Sequence, residues 1–123
     1  MILDGKRVLV LEDEPIIAFA LEDILIDEGA TVCVSCSIDQ AREIIAQEKF
    51  DYAILDVNLH GMKSYPIAYE LLKDGIPFAF ATGYGDAEHP EELAASVTIT
   101  KPYSVAQVKM AIDCLDESGG RSN

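Results

Sequence analysis

Short apolar runs alternate five times with longer amphipathic stretches along this chain. The apolar runs have the length of β-strands, and they lie at residues 7–11, 31–35, 52–55, 78–81 and 97–100. In the stretches between them, apolar residues recur at helical spacing. Alternating strands and helices of this kind predict βαβ units, and therefore an α/β domain built on a parallel sheet.

The ends of the predicted helices carry familiar signals. Pro15 is a favoured first-turn residue, and Gly29 is suited to end the same helix. Ser37 and Ser104 are candidate N-caps of the second and last helices, over 38–48 and 105–115. Asp74-Gly75 closes a third helix that begins near Ser64. The predicted inward-facing residues of the four helices are Ile17, Leu21, Ile24, Leu25, Ala41, Ile44, Ile45, Ile67, Ala68, Leu71, Leu72, Val105, Val108, Ile112 and Leu115.

Two segments have weaker patterns. Residues 90–95 predict a short helix with one large apolar residue, Leu93. Residues 116–123 are polar and glycine-rich, so we expect a flexible tail from about 117 to 123. The whole chain, 1–123, has the length of one domain, and half of its residues are apolar, enough for one packed core.

Charge narrows the possible partners. Nine Lys and Arg against 22 Asp and Glu give a net charge of -13, which repels nucleic acid and anionic membranes. The apolar runs are too short to span a bilayer, and the one after Lys6-Arg7 is too short for a signal peptide. We therefore expect a cytoplasmic protein. The three cysteines include a C-x-x-C pair, Cys33 and Cys36, but Cys33 lies within a strand and no second pair follows, which favours structural thiols.

The candidate chemistry lies where the predicted strands end. Glu12-Asp13 follows the first strand, Asp56 the third, Thr82 the fourth and Lys101 the fifth. The carboxyl ends of parallel strands lie along one edge of the sheet, where ligands bind. Residues 43, 26 and 19 positions apart (13 to 56, 56 to 82, 82 to 101) are therefore expected in one crevice. Three carboxylates, a hydroxyl and an amine gathered there describe a magnesium-dependent phosphoryl acceptor.

Four segments carry a resemblance to a known family: V-L-V-L-E-D-E-P at 8–15, A-I-L-D-V-N-L at 53–59, F-A-T-G-Y at 80–84 and T-K-P-Y at 100–103. In this order and at these spacings they resemble the receiver domain of bacterial two-component response regulators. The resemblance covers nearly the whole chain and implies a flavodoxin-like, doubly wound (βα)5 fold with strand order 2-1-3-4-5. It also implies that the phosphohistidine of a sensor histidine kinase, or a phosphotransfer protein, phosphorylates Asp56.

The residue chemistry agrees with that assignment. A carboxylate such as Asp56 can attack phosphorus in line and form a mixed anhydride. Asp13 is expected to hold Mg²⁺, or Mn²⁺ as a substitute, directly, with Glu12 acting through water. Asp56 itself and the Asn58 backbone carbonyl are expected as further ligands of the metal. Without a cation, carboxylates about 4 Å apart repel by roughly 4 kcal/mol per pair at an effective dielectric near 20.

The remaining site residues act on the phosphoryl oxygens. The Thr82 hydroxyl is expected to donate to one of them, and the Lys101 amine to pair with another. The resemblance implies that the peptide bond before Pro102 is cis and aims the lysine at the site.

The chain departs from the usual family pattern at the switch. Typical receivers carry Tyr or Phe three residues before the lysine, where this chain has Thr98. The segment 80–84 instead resembles the FATGUY subgroup, which has an aromatic residue in the loop after the fourth strand. We expect Thr82 to move toward the phosphoryl group and to draw Gly83-Tyr84 with it, reorganising the loop and the short helix at 90–95. The loop after Asp56 is also altered, and we expect its His60 to be exposed and without a chemical role.

Three function classes compete. The first is a stand-alone receiver that signals to an unknown downstream protein or relays phosphate, and whose catalysis is limited to self-phosphorylation and slow self-dephosphorylation. By resemblance, its first helix and the loop after its fifth strand meet the kinase, and its fourth helix through its last carries the output. The second is a phospho-independent interaction module with the same fold. The third, an enzyme, is disfavoured because Leu11-Glu12-Asp13 lacks the D-x-D of aspartyl-phosphate phosphatases and the glycine-rich turn of a nucleotide-binding unit.

Overall fold

A computed structural model describes residues 3–59, 61–82, 97–100 and 104–120. Strands and helices alternate along these segments as the apolar pattern predicts. In chain order the elements are β1 (Arg7–Leu11), α1 (Pro15–Asp27), β2 (Thr31–Ser35), α2 (Ile38–Gln47), β3 (Tyr52–Asp56), β4 (Asn58–Leu59), β5 (Met62–Lys63), α3 (Tyr65–Lys73), β6 (Phe78–Thr82), β7 (Val97–Thr100) and α4 (Val105–Gly120).

The main sheet is five-stranded and parallel, in the order β2-β1-β3-β6-β7. This arrangement confirms the predicted order 2-1-3-4-5, with β6 and β7 as the fourth and fifth strands. The chain moves outward from β1 to β2 and then crosses to β3 on the other side of β1. Such a change of direction opens a crevice at the carboxyl ends of β1 and β3.

The core consists of two apolar layers, one on each face of the sheet. Alternate residues along each strand point to opposite faces, so every buried strand contributes to both layers. One layer is shared with α1 and α4 and includes Leu21, Leu25 and Ile112; the other is shared with α2 and α3 and includes Ala41 and Leu71. Strands buried on both faces read as continuous apolar runs, which explains why their positions could be predicted.

Hydrogen bonds at the helix ends confirm two predicted caps. The Ser37 hydroxyl accepts from the backbone amide of Gln40 at 3.1 Å, and the Ser104 hydroxyl accepts from that of Gln107, also at 3.1 Å. After α1, Gly29 adopts φ 98°, and a Cβ there would lie 2.0 Å from a carboxylate oxygen of Asp4. Glycine is therefore required at this position on two independent grounds.

Several details differ from the predictions. Leu72 is 54% exposed and Val105 is 51% exposed, so neither faces the core as predicted. Each lies near a helix end, where the neighbouring element covers less of the helix. The last helix continues to Gly120, five residues beyond the predicted end at Leu115. The antiparallel β4–β5 pair was not predicted. The predicted helix at 90–95 lies outside the described residues.

None of the described helices combines the length and the apolar character that crossing a bilayer requires.

Candidate functional site

Three carboxylates meet at the carboxyl ends of β1 and β3. Glu12, Asp13 and Asp56 each place a carboxylate oxygen within 4.8 Å of the others. Glu12 is 1% exposed and Asp56 is 7% exposed, while Asp13 is partly exposed. The cluster is therefore a mostly buried pocket of negative charge with one side open to solvent through Asp13.

Strand register brings these residues together. Leu11, the last residue of β1, pairs with Leu55 of β3, so Glu12 and Asp56, which follow them, lie side by side at the carboxyl ends of the two strands. The Glu12 backbone amide donates to the Ser35 carbonyl at 3.0 Å, which extends the β1–β2 pairing by one step. The Glu12 carboxylate in turn accepts from the backbone amide of Glu14 at 3.2 Å. These bonds fix the turn between β1 and α1.

Asp56 is held by backbone contacts on either side of its side chain. Its carboxylate accepts from the Asn58 amide at 3.3 Å, and the next residue, Val57, donates its amide to the Ala81 carbonyl of β6 at 3.1 Å. The nucleophile candidate therefore sits on rigid sheet backbone, while the segment after Asn58 leaves the sheet.

Thr82 ends β6 beside this pocket. In the sheet register Asp56 pairs with Ala81, so Thr82 comes one residue later on the neighbouring strand, and it is 6% exposed. Thr82 also pairs with Thr100, the last residue of β7, which directly precedes Lys101. Lys101 and the predicted switch residues Gly83, Tyr84 and Pro102 lie outside the described residues. Thr98, where typical receivers carry an aromatic residue, is an exposed residue of β7.

The electrostatics of the cluster favour a divalent cation. Two charged carboxylates with oxygens 4.8 Å apart repel by about 3.5 kcal/mol at an effective dielectric near 20. Burial of Glu12 and Asp56 limits the screening of that repulsion by water. Oxygen ligands with room for water on the Asp13 side are the set that Mg²⁺ prefers. The three side chains therefore fit the metal that was predicted from the sequence.

Among the described residues, the acidic cluster includes no cysteine. Among the described residues Cys33, Cys36 and Cys114 are all free thiols. Burial, with a contribution from the Glu48 carboxylate, raises the pKa of the Cys33 thiol above its ordinary value, although Arg7 opposes the shift. A thiol with a raised pKa is a poor nucleophile and a poor metal ligand, which agrees with the structural interpretation of the C-x-x-C pair.

A family comparison identifies the family to which this fold belongs. The sequence model of the response regulator receiver domain matches residues 8–113. The chain belongs to the response regulator receiver family. Members of this family are generally signalling modules, phosphorylated on an aspartate, that bind Mg²⁺ at an acidic pocket and interact with histidine kinases or phosphotransfer proteins. The acidic cluster at the ends of β1 and β3 is consistent with that pocket.

Individual relatives support the same family. The solution structure of SdrG from Sphingomonas melonis Fr1 is 36% identical, with a TM-score of 0.80, and the match covers 89% of this chain and 95% of that one. The receiver TrrA from Thermotoga maritima, solved in complex with Mg²⁺ and beryllofluoride, is 25% identical with a TM-score of 0.79, covering 89% of this chain and 98% of that one.

This chain covers different shares of the length of two curated relatives. Sporulation initiation phosphotransferase F of Bacillus subtilis is 23% identical over 88% of this chain and 91% of its own length. The transcriptional regulatory protein DltR of Streptococcus agalactiae is 29% identical over 83% of this chain, which spans about half, 48%, of DltR.

The structure adds two features of the receiver that were not predicted from the sequence. The first is an exposed apolar stripe on α1, where Ile16 is 84%, Phe19 60% and Ile26 50% exposed. Their spacing of three and seven residues places them on one face of the helix, but this signal does not tell whether the face is covered. The second is the fully buried Ser64, which was predicted only as the start of the third helix. No sequence signal separates a buried serine there from an exposed N-cap.

Proposed function

We propose that this receiver accepts a phosphoryl group on Asp56 from the phosphohistidine of a sensor kinase or phosphotransfer protein, and that the phosphorylated form signals by binding another protein. The observation that carries the proposal is the convergence of Glu12, Asp13 and Asp56 within 4.8 Å at the crevice between β1 and β3. A carboxylate is buried there next to others whose negative charge repels it. A purely structural role would not require this arrangement.

In the transfer, one bond forms and one bond breaks. An Asp56 carboxylate oxygen attacks phosphorus, the new P–O bond forms as the P–N bond to the donor imidazole breaks, and the imidazole nitrogen takes up a proton. A divalent cation held by Asp13, Glu12 and the Asn58 carbonyl would supply positive charge to the phosphoryl oxygens. Thr82 donates its hydroxyl to one phosphoryl oxygen, and Lys101 pairs with another. Other catalysis is limited to self-phosphorylation from small donors and slow self-dephosphorylation.

Titration with beryllofluoride and Mg²⁺ tests this function on the protein alone. Beryllofluoride should bind when Mg²⁺ is present, with saturable NMR shifts at Asp56, Val57 and Thr82, because it occupies the place of the phosphoryl group. Omitting Mg²⁺ should abolish these shifts, since the carboxylates then repel the anion. Shifts that stay unchanged up to saturating beryllofluoride would favour the phospho-independent interaction module instead.

The same titration tests the proposed FATGUY-type switch. Movement of Thr82 toward the bound anion should shift the amide signals from Gly83 to Ala95, because those residues follow it directly. The proposal rests on the segment 80–84 and on Thr98 in place of an aromatic residue. If the site residues shift while residues 83–95 do not, the site stands and this switch is wrong.

We further propose that the receiver acts as a stand-alone domain spanning residues 1–123 in the cytoplasm. The prediction of a flexible tail from about residue 117 is wrong for residues 117–120, because α4 continues to Gly120. Support comes from SdrG and phosphotransferase F, whose own lengths are covered to 95% and 91%. Mass spectrometry of the protein isolated from its native cells tests this proposal, since an intact mass larger than that of the 123-residue chain would overturn it.

Kinase docking is proposed for the exposed stripe of α1. The stripe comprises Ile16, Phe19 and Ile26, and α1 carries acids but no Lys or Arg. A partner helix with apolar and basic residues therefore complements it.

Phe19→Ala should test this surface. An exposed aromatic anchor carries a large share of binding energy, so transfer from the fastest kinase in a phosphotransfer profile should slow roughly tenfold. Labelling by acetyl phosphate should not change, because it needs no docking. Leu72→Ala, which truncates a similarly exposed side chain on α3, is the matched control. Equal rates for wild type and Phe19→Ala would remove α1 from the docking surface.

A further inference from the structure

Ser64 lies between the phosphorylation site and α3. It is 0% exposed, and within the described part of the chain its hydroxyl stands out as a buried side-chain group without a hydrogen-bond partner. Ser64 occupies the N-cap position of α3 but makes no side-chain capping bond. A buried hydroxyl in this state costs about 1–3 kcal/mol. Buried polar groups in folded proteins are normally hydrogen-bonded, so this hydroxyl requires an explanation.

Backbone hydrogen bonds link Ser64 to the strands that carry Asp56 and Thr82 and also to α3. Its amide donates to the Val57 carbonyl at 2.9 Å, and Val57 directly follows Asp56. Val57 in turn donates to Ala81, which directly precedes Thr82. On the other side, the Ser64 carbonyl accepts from Ile67 and Ala68 in the first turn of α3. A displacement at Asp56 therefore reaches Ser64 through one hydrogen bond, and a displacement at Thr82 reaches it through two.

The segment that Ser64 closes has few anchors of its own. Between Val57 and Ser64 the chain forms the small β4–β5 pair, in which Asn58 and Lys63 are exposed and Met62 is 61% exposed. The Val57–Ser64 bond holds the base of this hairpin, while Leu59 is buried within it. A hairpin so short gains little stability from its own pairing. It can therefore shift relative to the sheet without unfolding the core.

We propose that Ser64 is a positioning residue whose hydroxyl gains a hydrogen-bond partner when Asp56 carries a phosphoryl group. In the structure described above, the cost of the unpaired hydroxyl destabilises the unphosphorylated form. Pairing in the phosphorylated form removes that cost, so the equilibrium is biased toward activation. The inference rests on the proposed function, because it needs Asp56 to be the acceptor.

Ser64→Ala tests this bias through two measurements, because the variant should have a higher Tm and a lower affinity for beryllofluoride. Without beryllofluoride, the variant should be more stable than wild type, with Tm raised by about 4 °C, because the unpaired hydroxyl is gone. Its affinity for beryllofluoride in Mg²⁺ should fall about tenfold, because the unliganded form is favoured and the partner gained on activation is lost. Ser64→Thr keeps the hydroxyl and should bind beryllofluoride within about threefold of wild type, even where its extra methyl group lowers Tm.

Ser35→Ala provides the matched control. Ser35 is also 0% exposed, but its hydroxyl donates to the Ser37 carbonyl at 3.0 Å and contacts the Gln40 side chain at 3.3 Å. Its removal should therefore lower Tm where Ser64→Ala raises it.

The outcomes separate this inference from the proposed function. If wild type does not bind beryllofluoride, the proposed function fails. If wild type binds and Ser64→Ala binds equally well, the function stands and the inference is wrong, whichever way Tm moves. A lower Tm for Ser64→Ala would also overturn the inference, since it would mean that the hydroxyl, for example through a bridging water, already stabilises the unphosphorylated form.

Discussion

Asp56→Asn should abolish labelling by both acetyl phosphate and a phosphorylated kinase. Asparagine has the shape of aspartate but lacks the anionic oxygen that attacks phosphorus, so the mixed anhydride cannot form. The loss should appear as the absence of a phosphoryl mass increment on the intact protein after incubation with Mg²⁺ and donor. The fold should persist, because removing one of three mutually repelling carboxylates relieves charge repulsion at the cluster.

The matched control for this prediction is Asp113→Asn. Asp113 is exposed on α4, away from the acidic cluster, and its amide variant should label as fast as wild type. A phosphoryl increment on Asp56→Asn equal to that of wild type would show that another residue accepts the group, and the proposed function would then be wrong.

Phe80→Ala should destabilise the protein by about 3–5 kcal/mol, a large part of the roughly 5–15 kcal/mol typical of a domain. Phe80 is 0% exposed in the central part of the sheet. Its ring meets those of Tyr65 and Phe78 edge to face, with centroids 5.6 and 5.4 Å away. Truncation therefore leaves a cavity and removes two aromatic contacts. Chemical denaturation should report the loss of free energy. Thermal unfolding should show a Tm lower by roughly 10–20 °C.

Phe19→Ala is the control that separates burial from residue type. Phe19 is 60% exposed on α1, so its truncation should change the free energy of unfolding by less than about 0.5 kcal/mol. Equal losses for the two variants would mean that Phe80 does not carry the core contacts seen in the structure.

The strands and most helix ends could be predicted because local chemistry determines them. The three central strands of the main sheet, β1, β3 and β6, are buried on both faces and appear as unbroken apolar runs, as at Val8–Leu11. Ser37 and Ser104 bond to amides three residues away, so their capping follows from short-range geometry. The convergence of Asp13 with Asp56 could also be predicted, because parallel strands place their carboxyl ends along one edge.

Features that depend on distant neighbours could not be predicted. Leu72 continues the apolar stripe of α3 in sequence, yet it is 54% exposed while the adjacent Leu71 is 0% exposed, so Leu72 lies outside the part of the helix surface that the core covers. The β4–β5 pair rests on two residues in each strand, too few to give an alternating pattern.

By itself, the order of residues determined the parallel α/β architecture and the strand-end acids of this receiver, since backbone propensities and burial patterns act over a few residues at a time. The sheet order was expected only from the resemblance to the receiver family. Tertiary structure alone decided that the Ser64 hydroxyl is buried without a partner and that Ile16, Phe19 and Ile26 stay uncovered. Burial and hydrogen bonding at these positions depend on which segments of the folded chain surround them, and the pattern within one helix carries no record of that surrounding.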